Sequence, residues 1–166
     1  MCCGSVTVAL FLIHLMPLRN SSSSSLHGRI LLVDDNVSGS TARKTVLEEL
    51  GHKITVSSSG ADALEQFTKQ KYDLVVTDYK MPRMDGLELI VRLRQEDPGI
   101  PIVLVSGFVD TLGLNEASTG ADAVIQKSAN EVTHLVRAVS RLLRRKPAKK
   151  AVAGAPAGLK AKRKAV

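Results

Sequence analysis

The chain has 166 residues, of which 44% are apolar and only 3% are aromatic, with no tryptophan. This length and apolar content suit one ordinary domain with a buried core, and the shortage of aromatic residues argues against recognition of nucleic acid by base stacking. Residues 137–166 hold eleven of the 23 Lys and Arg and no acidic residue, so the net charge of +7 comes from a basic tail, while residues 1–136 carry −4.

Residues 1–27 differ in composition from the body of the chain. Both cysteines, Cys2 and Cys3, lie here, so no disulfide framework or metal-ligand spacing exists and a reducing compartment fits. The apolar stretch Val6 to Leu18 is shorter than the ~20 residues of a membrane span, and the Ser-rich stretch Asn20 to Ser25 resembles a flexible linker. Three interpretations of these N-terminal residues stay open: a weak signal or anchor, an ordered extension, and an upstream start codon that is not used in the cell. The last two are favoured over export. We expect an extension that is disordered or not native, without stable membrane insertion.

From residue 28 onward, segments with strand and helix patterns alternate five times. In chain order the prediction is a strand at Arg29–Val33, a helix at Ser40–Leu50, a strand at Ile54–Ser57, a helix opening at Ser59, a strand at Leu74–Asp78, a helix at Gly86–Gln95, a strand at Ile102–Val105, a helix at Asp110–Ser118, a strand at Ala123–Gln126 and a last helix opening at Ser128. We expect Leu50 and Val91 on buried helix faces. Gly113 weakens the fourth helix.

Local signals mark where several of these helices begin. Ser59 is predicted to be an N-cap, with Asp62 completing a variant of the capping box. Asp85 is expected to cap the third helix. Ser128, with Glu131 three residues later, predicts a capping box for the last helix. Residues 147–166 lack apolar periodicity, and we expect them to be a disordered basic tail.

Alternating strands and helices predict a five-stranded parallel sheet with helices on both faces. The carboxyl ends of parallel strands lie at one edge of the sheet, where α/β proteins bind ligands. The first strand ends in Asp34-Asp35, the third in Asp78, the fourth in Ser106 and the fifth in Lys127. A single Asp at a strand end is often only a turn former, but this group gathers several charged residues.

These residue types suit phosphoryl chemistry. Three neighbouring carboxylates repel each other unless a cation lies among them, and Mg²⁺ prefers oxygen ligands and sites shared with phosphoryl groups. Lys127 supplies a compact positive charge and Ser106 a hydroxyl. The combination predicts a carboxylate nucleophile that accepts a phosphoryl group.

The chain resembles the receiver domain of two-component response regulators. The resemblance runs from about Arg29 to Arg145 and rests on five pieces in order: Leu31-Leu32-Val33-Asp34-Asp35, Val75-Val76-Thr77-Asp78, Met81-Pro82-Arg83-Met84-Asp85-Gly86, Val105-Ser106-Gly107, and Gly120-Ala121-Asp122 leading to Lys127. It implies a flavodoxin-like fold with strand order 2-1-3-4-5, in a domain of residues 28–146.

The resemblance also implies a role for each site residue. Asp78 matches the phospho-accepting aspartate. Asp35, Asp78 and the backbone carbonyl of Lys80 match the direct ligands of Mg²⁺, and Asp34 matches the carboxylate that acts through a metal-bound water. Ser106 and Lys127 match the hydroxyl and the lysine that contact the phosphoryl group. Phosphorylation in this family biases two conformations of the face formed by the fourth helix, the fifth strand and the fifth helix.

Two positions depart from the pattern of the family. Val124 stands where an aromatic residue usually turns inward on activation, which puts the usual coupling to Ser106 in doubt. Ser128 follows Lys127 where the family has proline after a cis bond. A cis bond without proline costs roughly 3–4 kcal/mol, so we predict a trans bond with a rearranged loop, and the alternative is a strained cis bond retained for the site.

The function implied is a stand-alone cytoplasmic receiver, a switch rather than an enzyme, which takes its phosphoryl group from a histidine kinase or a histidine phosphotransfer protein and signals by protein contact. One alternative is a degenerate receiver that acts as a scaffold or binds DNA non-specifically through its tail. Another is a Mg²⁺-dependent phosphatase with an aspartyl-phosphate intermediate. That chemistry favours a second acidic residue two positions after the nucleophile, where this chain has Lys80.

Overall fold

The computed structural model describes residues 27–144, which form one parallel sheet with strand order β2-β1-β3-β4-β5. The predicted five-stranded flavodoxin-like fold is therefore confirmed. The strands are β1 (Arg29–Val33), β2 (Lys53–Ser57), β3 (Leu74–Asp78), β4 (Ile102–Ser106) and β5 (Ala123–Gln126). The helices are α1 (Val37–Glu49), α2 (Gly60–Lys69), α3 (Gly86–Glu96), α4 (Val109–Leu112), α5 (Glu116–Thr119) and α6 (Glu131–Arg144).

The central strands carry the core. Every residue of β3 and β4 is buried, as expected for apolar strands covered on both faces. One face packs against α1 and α6, through side chains such as Leu47 and Leu135. The other face packs against α2 and α3, through side chains such as Ala63 and Leu89. This layering leaves the carboxyl edge of the sheet open between the two helical layers.

Several local predictions are confirmed. Ser59 caps α2 by accepting the backbone N–H of Asp62 at 3.2 Å, and Asp85 caps α3 by accepting the N–H of Glu88 at 2.8 Å. All peptide bonds of the described residues are trans, including the bond between Lys127 and Ser128. None of the described helices has the length and apolar character that crossing a bilayer requires.

Other local predictions are wrong. The single helix expected at Asp110–Ser118 is instead two one-turn helices, α4 and α5, because Gly113 takes a left-handed φ of 61° and ends α4. Leu50 and Val91 are exposed, at 45% and 57% of their surface. The capping box expected at Ser128 is not found among the described residues: Ser128 Oγ accepts the backbone N–H of Asn130 at 3.3 Å, and the carboxylate of Glu131 pairs with an arginine of α1.

The predicted extension of residues 1–27 lies outside the described residues except for His27, and the tail of residues 147–166 lies wholly outside them. The domain limits of 28–146 stay a prediction.

Candidate functional site

Three carboxylates meet at the carboxyl edge of the sheet. β1 pairs in parallel with β3, with Val33 opposite Thr77, so the residues that follow each strand emerge side by side. Each of Asp34, Asp35 and Asp78 has a carboxylate oxygen within 4.8 Å of the other two. The sequence-based prediction that these three side chains share one neighbourhood therefore agrees with the geometry.

Asp78 is a buried carboxylate in direct contact with a lysine. Its side chain is 6% exposed, one carboxylate oxygen accepts the backbone N–H of Tyr79 at 2.8 Å, and the other accepts Lys127 Nζ at 2.7 Å. Burial raises the pKa of Asp78 above its ordinary value; the hydrogen bond and charge of Lys127 oppose this, and the charge of Asp34 adds to it. A desolvated carboxylate beside a positive charge is a suitable acceptor for a phosphoryl group.

Asp34 is held by a different set of partners. It is only 2% exposed; one of its oxygens accepts the backbone N–H of Asn36 at 2.8 Å, and the other pairs with Arg43 Nη1. Asp35, by contrast, is exposed. The site is thus closed at Asp34 and open to water at Asp35.

Sequence reasoning missed Arg43. It lies one turn before Leu47 on the buried face of α1 and is 4% exposed. A charged residue four positions from a core leucine is a signal that could have flagged it. Its guanidinium also pairs through Nε with Glu131 Oε1 at 2.5 Å.

Ser106 and Lys127 come from the two strands on the other side of β3. β4 pairs with β5, and the backbone N–H of Lys127 donates to the carbonyl of Ser106 at 2.8 Å, which fixes the start of the lysine side chain. Ser106 is fully buried and its hydroxyl oxygen accepts the backbone N–H of Phe108 at 3.0 Å. Within the described residues Lys127 therefore contacts Asp78 directly, whereas Ser106 does not.

The loop after β3 is tightly packed against the site. Gly86 opens α3 so close to the strand that a Cβ at this position would collide with the backbone oxygen of Asp78 and come within 3.0 Å of Leu104. In the same loop Arg83 has a left-handed φ of 70°, which is uncommon outside glycine. Lys80 Nζ lies 5.7 Å from the centre of the Phe108 ring, which brings this loop into contact with the one after β4.

Val124 stands on β5, opposite Leu104 on the neighbouring strand, and is half-buried against the core on the α2 and α3 side. It has no polar group and no ring that could turn between a buried and an exposed position. The position therefore packs as a small aliphatic residue opposite Leu104.

The donor set fits a hard divalent cation. All three acidic residues offer oxygen, and the exposed Asp35 leaves a side open where a cation could keep several of its waters. A divalent ion here would lie next to Asp78 and offset the repulsion among the three carboxylates. The arrangement suits transfer of a phosphoryl group to Asp78 with charge compensation from the metal and Lys127.

Comparison with known proteins identifies the family of the chain. The model of the family "Response regulator receiver domain" matches residues 30–140. The response regulator receiver protein CpdR of Brucella abortus is 30% identical over 115 residues, which are 69% of this chain and 96% of that protein. The transcriptional regulatory protein ZraR of Escherichia coli is 34% identical over 93 residues, 55% of this chain but only 21% of its own length.

A solved structure leads to the same fold. The response regulator TrrA of Thermotoga maritima, in complex with Mg²⁺–BeF, has a TM-score of 0.62 and 32% identity, covering 69% of this chain and 97% of that one. The match to the family model covers well over half of the 166 residues. The chain therefore belongs to the response regulator receiver family.

Proposed function

We propose that this protein is a phosphorylatable switch whose acceptor is Asp78. The observation that carries the proposal is the contact of 2.7 Å between Asp78 and Lys127, beside the carboxylates of Asp34 and Asp35. Receiver domains are generally phospho-accepting switches rather than enzymes that turn over a substrate, and this chain is proposed to work in the same way.

In the proposed reaction, a carboxylate oxygen of Asp78 forms a bond to the phosphorus of a phosphohistidine, and the phosphorus–nitrogen bond breaks with its electrons going to the imidazole. Asp35, Asp78 and the backbone carbonyl of Lys80 would hold Mg²⁺ directly, and Asp34 through a water. Bound Mg²⁺ would supply charge compensation for the transferring phosphoryl oxygens. The donor is proposed to be a histidine kinase or a histidine phosphotransfer protein.

Lys127 would release Asp78 and pair with the new phosphoryl oxygens, since the two groups are already in contact. Ser106 would leave the backbone N–H of Phe108 and turn toward the same oxygens, which couples the site to the loop after β4. Val124 offers no ring to follow this movement, so we propose that the response appears in the segment after Ser106 itself.

The output is proposed to be protein contact by a stand-alone cytoplasmic receiver. Support comes from CpdR, of which this chain covers 96%, whereas it covers only 21% of ZraR. The downstream protein would bind the face that includes the segment after β4.

Intact mass spectrometry after incubation with acetyl phosphate tests this proposal. The wild type should gain one phosphoryl group with Mg²⁺ and none with a chelator, while Asp78→Asn gains none and Asp85→Asn, which alters only a helix cap, labels normally. Release of many equivalents of phosphate per protein would support the phosphatase alternative instead, and labelling of Asp78→Asn would contradict the proposal.

A second candidate, binding of DNA without sequence preference, rests on the eleven basic and no acidic residues of positions 137–166. Affinity for a random duplex should then fall steeply as salt rises, and removal of residues 147–166 should abolish it. An affinity that does not change with salt would rule this function out.

A further inference from the structure

We propose that Arg43 is a positioning residue that competes with the metal for Asp34 and links the site to the first turn of α6. This inference rests on the proposed Mg²⁺ site. It goes beyond it, because none of the roles implied for the acceptor, the metal ligands or the lysine involves a residue of α1.

Arg43 is built into the protein rather than placed on its surface. Its side chain is 5% exposed and its guanidinium bridges two carboxylates, Asp34 through Nη1 and Glu131 through Nε. These partners lie 9 and 88 residues away in sequence, so the bridge joins β1 to α6 through α1. Burying a guanidinium is costly unless it is paired in this way. Arg43 therefore differs from an arginine or lysine on the protein surface, whose charge needs no such partner.

A glycine on the same helix makes room for the pair. A Cβ on Gly39 would lie 3.2 Å from Asp34 Oδ2, which is tighter than an ordinary contact, and 3.4 Å from Arg43 Nη1, which is at the lower limit of one. Glycine inside a helix costs ~1 kcal/mol relative to alanine. Its presence in α1 is therefore explained by the space that the ion pair occupies.

The charges show what the bridge does. The connected group holds four carboxylates, Asp34, Asp35, Asp78 and Glu131, and two cations, Arg43 and Lys127, so its net charge is −2. One divalent cation would balance this charge. Arg43 already neutralises part of the charge of Asp34, so it opposes metal binding. Glu131 attracts the guanidinium away from Asp34 and therefore favours metal binding.

Occupation of the site should therefore reach α6. A metal that engages Asp34, directly or through a water, weakens the hold of Asp34 on Arg43, and the guanidinium then pairs more fully with Glu131. Glu131 is the first residue of α6, where a negative charge already interacts favourably with the helix dipole. The first turn of α6 should become more ordered when the site is filled.

Two substitutions should shift Mg²⁺ affinity in opposite directions in calorimetric titration of the 166-residue chain with MgCl₂. Arg43→Met should tighten binding on the order of tenfold, because a positive charge leaves the site. Glu131→Gln should weaken it by about threefold, because Arg43 is then left to Asp34 alone, and this effect should shrink in the double variant. Arg94→Met, which breaks the pair of Arg94 with Asp122 on the other face of the sheet, is the control and should bind as the wild type does.

Hydrogen exchange gives a second readout that does not depend on affinity. Saturating Mg²⁺ should slow exchange of the amides of residues 131–134 in the wild type, and this slowing should be absent in Arg43→Met. If Arg43→Met is too unstable to measure, Glu131→Gln alone decides, since it leaves Asp34 and Arg43 paired.

The outcomes separate the two proposals. If the wild type binds Mg²⁺ and Asp35→Asn does not, but the affinities of Arg43→Met and Glu131→Gln are unchanged or both weakened, the inference about Arg43 is overturned and the site stands. If the wild type binds no Mg²⁺ at all, both proposals fail.

Discussion

The carboxyl ends of β1 and β3 and the segment of residues 107–122 start from the same edge of the sheet, but they are built differently. Asp34 follows β1 and Asp78 ends β3, and both are held by backbone and charged partners. In residues 107–122 only Thr119 and Ala121 are buried, and the two helices there have four residues each. The acidic site residues are held in fixed positions, whereas residues 107–122, which are expected to respond to phosphorylation, are only lightly packed.

This difference suits a switch. A site that must orient a carboxylate and a cation gains from fixed partners, while a segment that changes conformation must have two states separated by a few kcal/mol. A segment with few buried apolar contacts unfolds locally at low cost. The comparison predicts that equivalent substitutions will have unequal effects in the two regions.

The largest effect is expected from Arg43→Met on the stability of the metal-free protein. Removing the arginine leaves the buried Asp34 and the partly buried Glu131 without their shared cation, which should lower the free energy of unfolding by about 3–5 kcal/mol. Urea denaturation in the presence of a chelator measures this. Arg92→Met, which removes an exposed pair with Glu88, should cost at most about 0.5 kcal/mol. Equal costs would show that the bridge does not stabilise the site.

The next effect is the loss of stability when a methyl group is added at each of two glycines. Gly86→Ala should lower the free energy of unfolding by about 1–3 kcal/mol, because the new Cβ meets the backbone of Asp78 and forces α3 away from β3. Gly107→Ala, in the lightly packed segment, meets nothing within 4 Å and should change stability by less than about 0.5 kcal/mol. Thermal unfolding of both variants, followed by circular dichroism, compares them directly. A destabilised Gly107→Ala would contradict the comparison.

A smaller effect is expected in the pH dependence of Asp78→Asn. The pKa of Asp78 is raised above its ordinary value of 3.8 by burial, so the folded protein holds this proton more tightly than the unfolded chain. In the metal-free wild type, the contribution of Asp78 to stability should therefore be fully present below that ordinary value and be lost as pH rises through the folded pKa. Asp78→Asn removes this loss and should be the more stable protein at neutral pH. If the stabilities of the wild type and of Asp78→Asn change in the same way from pH 3 to 8, burial does not govern the pKa of this carboxyl.

The smallest effect is expected from Leu112→Ala in α4. Leu112 is 52% exposed and α4 buries none of its residues, so the change in the free energy of unfolding should stay below about 0.5 kcal/mol. The variant should instead bind the downstream protein more weakly, as measured by capture of that protein on the phosphorylated chain. A loss of stability above 1 kcal/mol would mean that α4 is held as firmly as the acidic site residues.

The positions of the strands and of three acidic residues could be predicted because each depends on a short stretch of sequence. An apolar run such as Leu74–Val76 marks a buried strand, and the parallel alternation brings the residues after β1 and β3 to one edge. The contact between Lys127 and Asp78 follows from the same rule, since β5 also ends at this edge.

The bridge of Arg43 could not be predicted in this way, because it depends on a partner 88 residues away. The same contact bears on the capping box predicted at Glu131: its carboxylate pairs with the buried guanidinium of Arg43, and a charged donor is a stronger partner than a backbone N–H. Gly113 lowers the helix propensity of the predicted fourth helix, but the sequence does not show that this glycine takes a left-handed φ and ends α4.

The most direct test of the account is to identify the residue that accepts the phosphoryl group. Borohydride reduces an aspartyl phosphate to homoserine, which tandem mass spectrometry can locate after labelling with acetyl phosphate and Mg²⁺. The account predicts homoserine at position 78 and none at 34 or 35. Homoserine at either of those positions, or none anywhere in a folded protein that binds Mg²⁺, would contradict it.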